Sequence, residues 1–311
     1  MANIHHNVIS HISGSIYGVA GYYSDNDRTQ HVVVATTDGK LYEMHWNQNT
    51  ATTSPQPLRP SPESAPVQFR GIASLGGFYT SDDNFQHVIV ATEHGGLHEL
   101  YFTTPQQVHL RSPLFQLNTT LGPYIGMAAF YTSVDGLRHA TVGGADNTLH
   151  ELVLHEVVWS APVTPSVRDL AQFRLSDVAA IAGFFDLSVH SRDVIVAMKG
   201  GDVFDVYYSG EILAGEEITT KPVTTFSAAL KNAAAFVSSD TGYRHVIVLD
   251  DSGRLYDYSY TREHVFGQTP LISLGNVIDM AAYYSAYDKM RHVILATGDG
   301  NIHEVYYGQL G

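Results

Sequence analysis

The chain has 311 residues, no cysteine, and 17 Lys and Arg against 31 Asp and Glu, a formal net charge of −14 at pH 7. Without thiols there is no disulfide framework and no cysteine-ligated zinc, and an acidic chain with no basic run opposes nucleic acid and anionic membrane as partners. No stretch approaches the ~18 consecutive apolar residues of a membrane span. Residues 1–20, with His5, His6 and His11, carry no apolar segment of a Sec leader, so a cytoplasmic location or release without such a leader is expected.

Residues 3–13 have no counterpart later in the chain. Then a pattern begins. Residues 19–23 read V-A-G-Y-Y, and residues 30–46 read Q-H-V-V-V-A-T-T-D-G-K-L-Y-E-M-H-W. The second stretch is a β-branched run, a short Asp-Gly turn and an alternating run, which predicts a hairpin. Residues 54–66 hold five of the twelve prolines. Proline cannot donate to a ladder, so a stiff surface loop is expected there.

Both motifs return five times. The hairpin copies are anchored at His31, His87, His139, Asp193, His245 and His292, with steps of 56, 52, 54, 52 and 47 residues. A period near 50 with several short strands per unit predicts a propeller, here of six blades in one all-β domain spanning residues 1–311. The expected units are 14–70, 71–122, 123–175, 176–228, 229–274 and 275–311 with 1–13. No Gly-His…Trp-Asp signature places it among WD40 repeats.

The run before each hairpin carries small residues at matching positions (A-G, G-G, A-A, A-G, A-A, A-A). This predicts strand A, the innermost strand, where six backbones crowd a central channel. The hairpin then supplies strands B and C. Strand D is expected in weaker segments such as 112–117 and 217–226. The sixth unit stops at Tyr307 with no room for a strand D. An open edge invites mispairing, so residues 4–12 are expected to close the ring.

Three positions recur at fixed spacing. Strand A ends in Tyr23, Tyr79, Tyr131, Phe185, Val237 and Tyr284, each eight residues before the anchor. Twelve residues after the anchor stands an acid: Glu43, Glu99, Glu151, Asp205, Asp257 and Glu304. Three residues past the acid comes Trp46, Phe102, Tyr208, Tyr260 or Tyr307, with Leu154 in the third unit. Period-two alternation lets an anchor imidazole lie diagonally across the ladder from its acid. Such pairs serve either as polar staples between blades or as sugar sites, where a carboxylate accepts from hydroxyls and an aromatic face covers C–H groups. The sugar reading assigns ligand contacts to Tyr23, His31, Glu43 and Trp46; Tyr79, His87, Glu99 and Phe102; Tyr131, His139 and Glu151; His245 and Asp257; and Tyr284, His292, Glu304 and Tyr307. One His and one acid fall short of a metal's ligand set, so neither a metal nor another cofactor is expected. In the fourth unit Asp193 faces Asp205, two like charges that cannot both ionise cheaply.

The pattern small-small-x-x-aromatic, β-run, Asp/Asn-Gly, x-[Leu/Ile]-x-Glu-x-x-aromatic resembles the fungal and bacterial fucose-binding propeller lectins of the Aleuria aurantia type. Segments L-H-E at 97–99 and I-H-E at 302–304 carry the likeness to that family's strand C. The resemblance implies a six-bladed ring, glycan or glycoprotein partners and no catalysis, and leaves homo-oligomers open. It also implies an Arg on strand B. Here that place holds His31, His87, His139, Asp193, His245 and His292, while Arg138, Arg192, Arg244 and Arg291 stand one position earlier and are expected on the opposite face. The resemblance therefore implies a sugar without singling out fucose. A protein-interaction scaffold and, further off, a six-bladed lactonase or hydrolase are the competing readings. The second would need one asymmetric constellation at the channel mouth.

Overall fold

The computed structural model describes residues 3–47, 49–116, 124, 126–144, 146–154, 166–209 and 218–309. Six four-stranded antiparallel sheets form the blades. Strand A is Ile16–Ser24, Ile72–Tyr79, Met127–Thr132, Val178–Asp186, Leu230–Ser238 and Val277–Ser285 in blades 1 to 6. Strand B is Thr29–Thr36, Gln86–Thr92, Leu137–Gly143, Ser191–Met198, Tyr243–Asp250 and Met290–Thr297. Strand C is Leu41–Trp46, Gly96–Phe102, Thr148–Leu154, Asp202–Ser209, Arg254–Tyr260 and Asn301–Tyr307.

The outer strands are the irregular ones. The segments expected at 112–117 and 217–226 are His109–Gln116 and Thr219–Thr225; residues 117 and 217 lie outside the described residues. In blade 1 strand D shrinks to Gln56–Pro57, inside the proline-rich loop. Blade 6 takes its fourth strand from the N-terminus: Ile4–His11 runs antiparallel to Asn301–Tyr307, with Ile4 opposite Tyr307 and His11 opposite Asn301. This pairing closes the ring.

Turn chemistry repeats with the blades. Eight residues past each anchor, Gly39, Gly95, Asn147, Gly201, Gly253 and Gly300 all have positive φ, the conformation a tight hairpin needs.

The small residues of strand A have the cause expected of them. A Cβ on Gly76 would stand 2.6 Å from the Ala129 Cβ and 3.1 Å from its backbone nitrogen, in the next blade. On Gly183 it would meet the Ala128 Cβ at 3.0 Å. Larger side chains would hold the inner strands apart.

Alternation gives each blade two faces. On blade 1, Ala20, Val33, Ala35 and Leu41 pack with Leu75, Val88 and Val90 of blade 2. The opposite face, with Val32, Val34, Met44 and Trp46, packs on Tyr283, Ile294 and Ala296 of blade 6. Strands B are buried on both sides, which accounts for their near-continuous apolar runs.

Candidate functional site

Each anchor histidine faces the following blade and meets its own acid. The Nδ1 of His31, His87, His139, His245 and His292 lies 2.9, 2.8, 2.8, 3.0 and 2.9 Å from Glu43, Glu99, Glu151, Asp257 and Glu304. All ten side chains are buried. The other ring nitrogen is held too: His87 by Thr80 at 3.0 Å, His139 by Thr132 at 3.2 Å, His245 by Ser238 at 3.1 Å, and His292 by Asp288 at 3.2 Å. His31 Nε2 stands 3.8 Å from Asp27. Four of these rings are held by protein groups at both ends, so they orient the acids rather than reach toward a ligand; His31 is held at its Nδ1 alone.

The expected constellation is not assembled within one unit. The aromatic opposite each His is one residue earlier than expected: Tyr22, Phe78, Phe130, Phe236 and Tyr283 stack on the imidazoles at 4.9–5.3 Å between centroids. Strand pairing explains it, since Tyr22 is the register partner of His31 and Tyr23 that of Gln30. Tyr23, Tyr79, Tyr131 and Tyr284 point the other way. With Phe185 and Val237 they form a half-buried collar around one mouth of the channel, a depression of about 420 Å³.

The aromatic three residues past the acid also leaves its own unit. Three is odd, so the ring projects from the opposite face and enters the cleft of the preceding blade. Tyr208 donates its hydroxyl to Glu151, Tyr260 to Asp205 at 3.1 Å, and Tyr307 to Asp257 at 3.1 Å. Phe102 is fully buried in the core between blades 1 and 2.

The arginines one position before the anchor follow the same rule. They face away from their own His, as expected, and so enter the preceding cleft. Arg138 donates to Asp83 at 2.6 Å, Arg192 to Asp135, and Arg291 to Asp240 at 3.0 Å. Arg244 reaches Asp186 at 3.0 Å, Asp193 at 3.1 Å and Asp205 at 3.6 Å. A guanidinium is thus present in the clefts after all, supplied by the neighbour.

In blade 4 the two aspartates are both buried and both approach Arg244. Burial, and then the charge of Asp193, raise Asp205 to about 8, against the pull of Arg244. Asp193 is raised as well, first by burial.

The cleft between blades 6 and 1 differs. There the arginine position is Gln30, whose carboxamide oxygen accepts from Tyr283 at 2.9 Å, and the tyrosine position is Trp46. A cavity of about 410 Å³ opens between them, lined by Asn7, Gln30, Trp46, Asn47, Asp288, Met290, His292, Glu304 and Tyr306. Burial alone would lower His292, but hydrogen bonds and charge from Asp288 and Glu304 outweigh it and hold the imidazole above its usual value. Asp288 is lowered: burial opposes this, and the bond to His292 prevails. The cleft between blades 4 and 5 holds a smaller cavity of about 80 Å³, with Asp205, Arg244, Tyr260 and Arg262 among its walls.

Of the expected ligand residues, the structure brings His292, Glu304 and Trp46 to the larger cavity, the third from the neighbouring unit. Asn7, Gln30, Asn47, Asp288 and Tyr306 were not singled out in the sequence. Asp288 did leave a signal: an Asp stands four residues before the anchor in units one, two, three and six.

No protein-family model and no curated protein matches the sequence. Solved structures do match in fold. AofleA from Arthrobotrys oligospora superposes with a TM-score of 0.65 at 11% identity, over 98% of this chain and 86% of that one. A point mutant of the Aleuria aurantia lectin in complex with Fucα1-6GlcNAc gives 0.62 at 12% identity, over 97% and 96%. The BP39L lectin from Burkholderia pseudomallei gives 0.60 at 14% identity, over 94% and 82%. The six-bladed architecture is that of the Aleuria-type lectins.

Proposed function

We propose that this propeller is a non-catalytic carbohydrate-binding protein whose repeated clefts are unequal, with its principal site between blades 6 and 1. The observation that carries this reading is the 410 Å³ cavity with Trp46 and Tyr306 beside Glu304, Asp288, Gln30 and the two asparagines. The indole face of Trp46 suits the C–H surface of a pyranose, and carboxylates and carboxamides suit its hydroxyls, as does the hydroxyl of Tyr306. Glu304 acts as acceptor, with His292 as the group that aims it. The likeness of fold to lectins supports a glycan ligand in general terms. In the clefts after blades 3, 4 and 5, tyrosine hydroxyls already occupy the acids, so those positions bind weakly or serve as staples. Multivalency then rests on fewer than six sites.

The test is a glycan array followed by titration of the best glycan. Trp46→Ala and Glu304→Gln should each weaken binding by about tenfold or more, and Tyr79→Ala, at the channel mouth, should not. Full affinity in the first two variants would overturn the site. The scaffold reading rests on the aromatic collar of the channel mouth. It gains if the array is flat while Tyr79→Ala abolishes capture of a protein partner.

A further inference from the structure

Unit one alone carries a second histidine beside its pair. Residues 43–45 read Glu-Met-His, whereas the place of His45 is taken by Tyr101, Val153, Tyr207, Ser259 and Tyr306 in the other blades. Glu43 and His45 are two apart on strand C and so share a face. His31 is the direct register partner of His45 on strand B. Both Nδ1 atoms converge on one carboxylate oxygen: Glu43 Oε1 is 2.9 Å from His31 and 3.0 Å from His45. Among the described residues these three form the one group of His, Cys, Asp or Glu whose donor atoms all lie within 4.8 Å of one another.

We propose that His31, Glu43 and His45 form a binding site for a first-row transition metal ion, with zinc as the reference ion. The donor set is two imidazole nitrogens and a carboxylate oxygen, which suits Zn, Cu or Ni over Ca or Mg. Around a tetrahedral zinc, nitrogen and oxygen donors sit about 3.3 Å apart, given bond lengths near 2.0–2.1 Å. The two nitrogen-to-oxygen separations, 2.9 and 3.0 Å, are a few tenths of an ångström shorter, so small side-chain movements bring these donors to that spacing.

Two further features fit. His31 Nε2 is buried with no hydrogen-bond partner, and it points toward Asp27 at 3.8 Å. A metal on Nδ1 fixes the remaining proton on Nε2, where a carboxylate is the usual partner of a metal-bound His. The two Nδ1 protons are displaced, to the rings' own Nε2 or to solvent. In addition, the backbone of His45 is pinned on both sides by Thr53, which accepts from its N–H at 3.0 Å and donates to its carbonyl at 3.0 Å. The His45 side chain is 38% exposed, which gives an ion a way in and leaves the fourth position open to water. This site lies on the opposite face of strand C from Trp46 and does not depend on the sugar reading.

The test uses the full chain stripped with EDTA, titrated with Zn²⁺ by calorimetry and with Co²⁺ by visible absorption. The wild type should take about one zinc per chain and give the intense visible band of four-coordinate cobalt. His45→Tyr, the residue of three sister blades, should keep its circular dichroism and lose at least ~100-fold in affinity; Asp27→Asn should lose about 10-fold. His6→Ala removes another close imidazole pair, His6 and His303 at 3.0 Å, and should leave the stoichiometry unchanged. Equal zinc affinity in wild type and His45→Tyr overturns the proposal, as does zinc binding abolished by His6→Ala.

Discussion

Asp205→Asn tests whether blade 4 carries a shared proton. Asp205 and Asp193 both lean on Arg244, and an oxygen of each lacks a hydrogen-bond partner among buried groups. One proton between them removes the repulsion. Burial and Asp193 raise Asp205 to about 8 in the folded chain, against ~3.9 unfolded. A folded pKa above the unfolded one means stability is fully present below the lower value and is lost as pH rises toward the upper one. The slope is about 1.4 kcal/mol per pH unit between the two, or ~4 kcal/mol from pH 5 to pH 8. Sharing of the charge with Asp193 and Arg244 reduces this to about 2 kcal/mol. Asparagine mimics the protonated acid, keeps an acceptor for the Tyr260 hydroxyl and cannot ionise. At about 2.1 cal/mol/K per residue, ~2 kcal/mol corresponds to about 3 °C for a ring of this size. Melting of both proteins at pH 5 and pH 8 is the assay. The variant should gain about 3 °C on the wild type between the two pH values. A difference that stays constant, or one that moves against the variant at pH 8, refutes the shared proton.

Gly76→Ala should cost about 1–3 kcal/mol in denaturant unfolding, because the new methyl meets the Ala129 backbone as well as its Cβ and no rotamer can relieve it. Removing residues 1–13 should lower the melting temperature and produce concentration-dependent association, since Asn301–Tyr307 becomes an open sheet edge; light scattering and melting identical to the full chain would contradict closure by that strand.

The architecture was legible because a propeller writes its geometry into spacing. Gly76 and Ala129 had to be small in any closed ring, and the unpartnered run at Ile4–His11 is the strand that completes blade 6. Cleft composition was harder to read. Alternation assigns a side chain to a face, yet it does not name the blade that face meets. The distance of three from acid to aromatic and the step of one from Arg to anchor both put those residues on the far side of their own sheet. Taken ring-wise, the same offsets hand Tyr208 to Glu151, and Arg244 to Asp205. Tyr23 misled for the related reason that two adjacent aromatics end strand A, and register chose Tyr22 to cover the histidine.

That exchange between neighbours explains why the six clefts are chemically unequal. Where the following blade brings a tyrosine, as after blades 3, 4 and 5, its hydroxyl closes on the acid and the polar groups satisfy one another. Blade 1 has neither partner to give: Gln30 stands for the arginine and Trp46 for the tyrosine, so Glu304 borders a cavity instead of a hydroxyl. Blade 2 likewise offers Gln86 and the wholly apolar Phe102 to the cleft of Glu43. There the second hydrogen bond to the carboxylate comes from His45, within blade 1 itself. A buried carboxylate needs more than one donor. The cleft between blades 6 and 1 and that of Glu43 are the two where the neighbour supplies neither an arginine nor a tyrosine: the first opens into a cavity beside Trp46, and in the second His45 takes the place of the missing donor.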